Sequence, residues 1–443
     1  MHYIKSLLKF NEMPKPLTGI IIGAGHRSLF YADYAMKSPD KFKIVAVVEP
    51  QEHRRNAALK KHGLTENAGY TSVEQLCAKG KIADVAINGT MDQLHVSTSL
   101  PLIETGYDIL LEKPFAVNEN EMWRLVEVAR KYKRKIFICH VLRYSPFYNL
   151  IRRKIIEGRL GTILNIQTNE HVSYHHESTA FIRGKWNRKD VCGSGHLMSK
   201  CCHDLDLIMW MLSGNAPVAV SSFGSKMFFR EENAPEGSGT RCLLDCKIES
   251  QCPYSAQKLY LDNKLWEIYT WEDIEHLGET SEDFRKEHLK TTSRYGRCVW
   301  RCDNNIVDHQ SVMIRFSDGA TATHNLVAGT ARPLRTIHIL GTNAELYGVF
   351  DDSKFEIRIP QPSAPDNFEK EEYDLNITGD FHGMDGGHGG GDMRLVADFV
   401  EFIQGGQPSI ACTTVEDSIF GHLVGFKAED AMKNDMVIPI HMQ

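Results

Sequence analysis

The stretch LTGIIIGAGHRS, residues 17–28, decides the architecture. It opens as a β-branched run, reaches Gly23-Ala24-Gly25, and passes at His26, Arg27 and Ser28 into a segment with helical spacing to Met36. A buried-type strand, a glycine turn and a helix in that order begin a βαβ unit. Gly23 and Gly25 suit a tight turn and the close approach of a phosphate to a helix N-terminus. The third position of this G-x-G-x-x-G frame is Ser28 instead of glycine.

The same rhythm continues outward. Phe42–Val48 reads as a second strand ending at Glu49-Pro50, and Thr71-x-x-Glu74 reads as a capping box opening a helix through Ala78. Ala83–Asn88 is a third strand, a helix over about Gln93–Glu104 stops at Gly106, and Tyr107–Leu111 is a fourth strand. Asn118 caps a helix to about Tyr132, and Ile136–Val141 is a fifth strand. Short parallel-type strands alternating with helices predict an α/β, doubly wound Rossmann domain over residues 1–143.

Beyond Arg143 the period changes. A helix over Ser145–Glu157 precedes the two-period segments TILNIQTNEHV, VAVSSFGSKMFF, HQSVMIRFSDGATATHNLV and TIHILGTNAELYGVF, with a hairpin at Ser317-Asp318-Gly319. Helices are expected over Asp392–Gln404 and Val415–Met432. Residues 144–443 therefore read as an α+β domain on one large, mostly antiparallel sheet, interrupted by an excursion of weak periodicity at about 230–297. A chain of 443 residues fits two domains, and its net charge of -6 with scattered Lys and Arg argues against nucleic acid. No run is long and apolar enough for a membrane span, MHYIKSLLKFNEMPKP lacks the marks of a signal peptide, and eleven cysteines without a disulfide framework fit the cytoplasm.

Glu49 stands where a carboxylate accepts hydrogen bonds from the adenosine ribose. Its charge disfavours a 2′-phosphate, so NAD is expected over NADP, a preference that the following Arg54 and Arg55 would soften. Lys113, in Glu112-Lys113-Pro114, ends the fourth strand on the ligand side of such a sheet, where an ammonium can stabilise a developing alkoxide. His203 and Asp206, in Lys200-Cys-Cys-His203-Asp204-Leu-Asp206, share one helix face with Ser199. His203 suits a general base, Asp206 its orienting partner, and Lys200 either a substrate contact or an i,i+4 partner of Asp204.

Three motifs together resemble the glucose–fructose oxidoreductase/inositol dehydrogenase/MocA (Gfo/Idh/MocA) family: the glycine loop, Thr90-Met-Asp-Gln-Leu-His95, and Glu112-Lys113-Pro114. The resemblance implies a nicotinamide at the domain junction over Lys113, bound also by Thr90, His95, Glu112 and Arg143. It implies hydride transfer on a sugar-like hydroxyl and a second-domain sheet serving a homodimer or homotetramer. The family's helix carries an aspartate where this chain has Ser199, while His203 and Asp206 match. Tyr144, Tyr174 and His175 are further expected substrate contacts. The glycine-rich run from Asp385 to Asp392 holds His388 and resembles the G-H-G-G segment of the family's NAD-dependent α-N-acetylgalactosaminidases. That segment keeps redox-neutral glycoside cleavage open beside net dehydrogenation, and the Ser199 substitution keeps open a non-catalytic NAD(H)-binding regulator. Cys242, Cys246, Cys252, Cys298 and Cys302 could supply a structural zinc, but five thiols at loose spacing read better as buried thiols with no metal.

Overall fold

The structure is a computed structural model that describes residues 15–378 and 387–441. Six parallel strands form the first sheet: β1 (Leu17–Ile22), β2 (Phe42–Val48), β3 (Gly69–Tyr70), β4 (Val85–Asn88), β5 (Asp108–Leu111) and β6 (Ile136–Ile138). Their order, β3-β2-β1-β4-β5-β6, reverses between β1 and β4, which opens a crevice at the carboxyl ends of those strands. Helices α1 (His26–Ala32), α2 (Glu52–Lys61), α3 (His95–Thr105) and α4 (Glu119–Tyr132) make the crossovers. Val85, Ala86, Ile87, Ile109, Leu110 and Leu111 are buried throughout, as a sheet covered on both faces requires.

Local signals fall mostly where the sequence puts them. Gly106 ends α3 at φ +102°, and the Asn118 side chain accepts from Glu121 N at 2.9 Å to start α4. The helix after β3 corrects the Thr71 reading. It spans Val73–Cys77, and Ser72 is its cap, accepting from Gln75 N, while Thr71 binds the Gln75 side chain. The first helix also breaks earlier than its spacing suggests, at Asp33, before a separate turn over Tyr34–Lys37.

The second domain begins with α5 (Pro146–Ile156) and is built on nine strands. These are β7 (Ile163–Ser173), β8 (Pro217–Ser225), β9 (His309–Phe316), β10 (Thr321–Thr330), β11 (Leu334–Gly341), β12 (Glu345–Val349), β13 (Lys354–Pro360), β14 (Phe368–Asp374) and β15 (Ile438–Pro439). The order is β14-β13-β12-β11-β7-β10-β9-β8-β15, antiparallel except for the β7–β10 pair. One face is covered by α6 (His196–Met211) and α8 (Val415–Asn434), which pack on each other, while α7 (Gly387–Ile403) returns to the Rossmann domain. The excursion is a compact insertion of short helical turns between β8 and β9, with two small cores of its own. Arg183, wholly buried, anchors it. Its guanidinium donates to Arg297 O at 2.7 Å, Tyr254 O at 2.8 Å, Tyr260 Oη at 3.1 Å and Cys242 Sγ at 3.4 Å.

Candidate active site

The glycine turn is shaped by backbone geometry that side chains would obstruct. Gly23 has φ +75°, and a Cβ there would press on Thr90. Gly25 caps α1 with open space where its Cβ would be, leaving the first turn accessible to a phosphate. Ser28 satisfies the third position because Gly89 lies opposite. Ser28 is buried, and a Cβ on Gly89 would overlap its Oγ. The close helix–strand approach is thus made by a serine against a glycine. Glu49, also buried, accepts from Ala24 N at 2.8 Å and Gln51 N at 2.9 Å, joining the loop to the end of β2. The residues present fit a dinucleotide cradle.

At the end of β5 the Lys113–Pro114 peptide is cis. His95 braces this turn, with Nδ1 2.7 Å from Pro114 O and Nε2 2.9 Å from Thr90 O. Glu112 forms a buried hub. It accepts from Arg27 Nε at 2.8 Å, Tyr31 Oη at 2.7 Å and Lys113 N at 2.8 Å. Burial alone would raise its carboxyl, but the Arg27 and Lys113 charges outweigh that and hold it at about 2. Arg27 also pairs with buried Asp392 on α7, so the hub ties the glycine-loop helix to the second domain.

Lys113 points across the junction, its Nζ donating to Ser199 O in the first turns of α6 at 3.2 Å. Burial lowers its affinity for the proton, while Cys202, Glu112 and Asp92 raise it, and the net direction is up. The charged ammonium is therefore the resident form at neutral pH. The Ser199 hydroxyl turns away, donating to Gly195 O at 3.0 Å. His203 follows one turn on, buried, its ring edge-on to that of His140 with centroids 5.7 Å apart.

A family model described as an oxidoreductase family with an NAD-binding Rossmann fold matches residues 18–140, and its C-terminal alpha/beta domain matches residues 152–421. The chain belongs to the Gfo/Idh/MocA oxidoreductase family. The oxidoreductase YteT of Bacillus subtilis (strain 168) is similar at 24% identity, over 71% of each chain. Inositol 2-dehydrogenase of Corynebacterium glutamicum (strain R) is 26% identical over 47% of this chain, and that match spans 57% of the dehydrogenase. Among solved structures, levoglucosan dehydrogenase in complex with NADH and levoglucosan shares the fold at TM-score 0.68 and 16% identity, covering 97% of this chain and all of that one. Among the described residues, no helix is long and apolar enough to cross a membrane.

Against that family frame, several expected contacts are engaged elsewhere. Asp206 is clamped by Arg143, whose Nε and Nη2 donate to it at 2.7 and 2.6 Å, and its Oδ1 lies 3.7 Å from His140 Nε2. Arg143 is consequently a buried partner of Asp206, stacked over Trp210. Lys200 pairs with Glu170 at 3.1 Å instead of Asp204, which binds Arg335 at 3.1 Å. Tyr144 donates to Asp398 at 2.7 Å. His175 accepts from Trp266 Nε1 at 3.0 Å and Tyr174 packs on Tyr254, so both seat the insertion. Arg54 is held by Glu272 and Glu275 of the insertion, and His26 is exposed at the start of α1. Of the glycine-rich run, Asp385 and Gly386 lie outside the described residues, as does the His388 side chain, while Gly387 onward forms the start of α7 where the sequence reading began the helix at Asp392.

Of the five cysteines, Cys242, Cys246, Cys252 and Cys298 line one small cavity inside the insertion. Among the described residues, the ligand-capable group is Cys201, Asp204 and His324, in the core under α6 with Asp204 already on Arg335. The fold brings two further groups close to Lys113. Asp92 is buried and accepts from Trp186 Nε1 at 3.4 Å, its carboxyl raised by burial despite nearby His95 and Lys113. Tyr269 of the insertion packs edge-on to Trp186 at 5.7 Å, and burial raises its phenol against the pull of Arg27 and Lys113. An aspartate in a T-x-x-x-x-H frame was visible as a motif member, but an insertion tyrosine was not.

Proposed function

We propose that this oxidoreductase transfers hydride between NAD and a secondary hydroxyl of a sugar, glycoside or cyclitol. The observation that carries the reading is the Lys113–Ser199 contact, which brings the end of β5 onto the helix bearing His203 at the mouth of the glycine-loop crevice. The carbohydrate-like substrate class is supported by relatives named for inositol and by a fold neighbour bound to levoglucosan.

Bound along Gly23, Gly25 and Glu49, NAD supplies the hydride acceptor. Lys113, kept cationic, hydrogen-bonds the substrate oxygen and stabilises charge developing there. Because that ammonium holds its proton, the base is His203, which takes the hydroxyl proton as the carbon is oxidised. Asp206 acts by fixing Arg143 and facing His140, and so positions the floor of the site. Asp92, Trp186 and Tyr269 close the insertion side against water. NAD is favoured over NADP by Glu49, whose carboxylate sits at the end of β2. Phe223, Met313, Val327 and Tyr347 are exposed on the sheet face opposite α6 and α8, which supports a homodimer or homotetramer through that face. Location in the cytoplasm is part of the same proposal.

The test is a panel of free sugars, glycosides, amino sugars and inositols with NAD. Accumulating NADH with a free sugar or cyclitol is the expected result. Aglycone release without net NADH would replace the reading with redox-neutral cleavage. Tight NADH binding with neither product would replace it with a regulator.

A further inference from the structure

The insertion reaches the adenosine end of the crevice and there neutralises the cations that a phosphorylated ribose would need. Helix α2 begins three residues after Glu49, and His53 and Arg54 occupy its first turn. An arginine just past the second strand is the usual partner of a 2′-phosphate in this fold. Here the Arg54 guanidinium is divided between Glu272 Oε1, at 3.1 Å, and Glu275. The same Glu275 Oε1 lies 3.0 Å from His53 Nε2, and Lys185 Nζ completes the cluster 3.2 Å from Glu272. The other candidate, Arg55, turns its Nη1 back onto main-chain oxygens, donating to Glu49 O at 2.7 Å and Pro50 O at 3.3 Å. Arg54 is the least exposed member, at 16%, against 28% for Glu272 and 37% for Glu275.

We infer that Glu272 and Glu275 set cofactor choice: the insertion's carboxylates sequester Arg54 from any 2′-phosphate. The inference rests on the dinucleotide reading of the glycine loop and deepens it. Glu275 and Glu272 take the Nε and Nη2 of Arg54, so that side-on guanidinium fork is closed to a phosphate, and the Lys185 charge is likewise held on Glu272. The effect is one of selectivity. Partly exposed ion pairs of this kind contribute little to stability, so neutralising them spares the fold.

The test is a fluorescence titration of the full-length protein with NADH and NADPH, for the wild type and for Glu272→Gln/Glu275→Gln. The expected result is that the ratio of NADPH to NADH dissociation constants falls by about 10-fold or more in the double variant. Arg54→Ala should leave that ratio within about 2-fold of wild type alone, yet reverse the gain in the double variant. The single variant Glu275→Gln should move the ratio the same way by less, which keeps the test decisive should the double variant misfold. An unchanged ratio with NADH affinity retained overturns the inference. Wild-type protein that binds neither nucleotide overturns the dinucleotide reading itself.

Discussion

Lys113 Nζ lies 3.2 Å from the carbonyl oxygen of Ser199, so the ammonium at the end of β5 is tethered to the helix that presents His203. The contact uses a backbone oxygen at the position where the family carries an aspartate. The lost side-chain charge is compensated nearby by the Glu112 carboxylate, which helps keep Lys113 protonated against its burial. A main-chain acceptor cannot be removed by a side-chain change at 199, so the tether is indifferent to that substitution.

Replacing Lys113 by Ala should therefore lower turnover by about 10³-fold or more, since both alkoxide stabilisation and the tether are lost. The glycine cradle does not include Nζ, so the NADH dissociation constant should change by less than about 5-fold. Steady-state kinetics beside a nucleotide titration separate the two. His203→Asn should lower turnover by about 10²–10⁴-fold, the range for a lost general base. Full activity in either variant would remove that residue from the chemistry.

The sequence was legible wherever the determinant was local. Gly106, Asn118, Ser145 and Gly319 end or begin elements through their own backbone or side-chain chemistry, and each lies at an element boundary. Strand β14 carries little local signal because FEKEEYD is densely charged and forms the sheet edge, where neither face must be strictly apolar, whereas β13 lies one strand in and alternates, burying Phe355 and Ile357. The site divides in the same way. Lys113, His203 and the glycines follow from strand ends and helix spacing. Arg143 meeting Asp206, Lys200 choosing Glu170 and Arg54 choosing Glu272 are contacts across 30 to 218 residues, fixed by packing that no local pattern encodes.

Glu112 gives an acid signature. Its folded carboxyl sits at about 2, below the ordinary value of 4.5, because Arg27 and Lys113 outweigh its burial. A depressed carboxylate contributes stability that is complete above pH ~4.5 and is lost as the pH falls through about 2, worth about 3 kcal/mol. Glu112→Gln should consequently be less stable than wild type at neutral pH, with the two denaturation curves converging toward pH ~2. Parallel curves over that range would show that Glu112 is not the hub its contacts describe.

The Ser28–Gly89 contact predicts a steric coupling at the cradle. Gly89→Ala places a methyl against Ser28 Oγ and its backbone N, forcing α1 away from the end of β4. NADH affinity should fall by about 10-fold or more, because the loop and the helix N-terminus move together. Ser28→Gly in the same chain removes the clashing hydroxyl and should recover part of the loss. Titration of the two single variants and the double variant gives the coupling energy, and strict additivity would exclude a direct contact.

Arg183 predicts how the insertion is held. Its buried guanidinium satisfies two main-chain carbonyls, a phenol and a thiol drawn from residues 242–297, and it comes from the segment that follows β7. Arg183→Met keeps much of the volume but removes every donor, leaving Tyr254 O and Arg297 O without this partner, at a cost of about 1–3 kcal/mol for each buried acceptor left unsatisfied. The insertion has two small cores of its own, so the loss should loosen its seating before it unfolds either domain. Hydrogen exchange should rise across residues 231–301 while β1, β4 and β5 stay protected. NADPH discrimination should weaken in parallel, since Glu272 and Glu275 then no longer meet Arg54. Faster exchange confined to the insertion with nucleotide preference unchanged would separate the anchor from the selectivity that the insertion is inferred to impose.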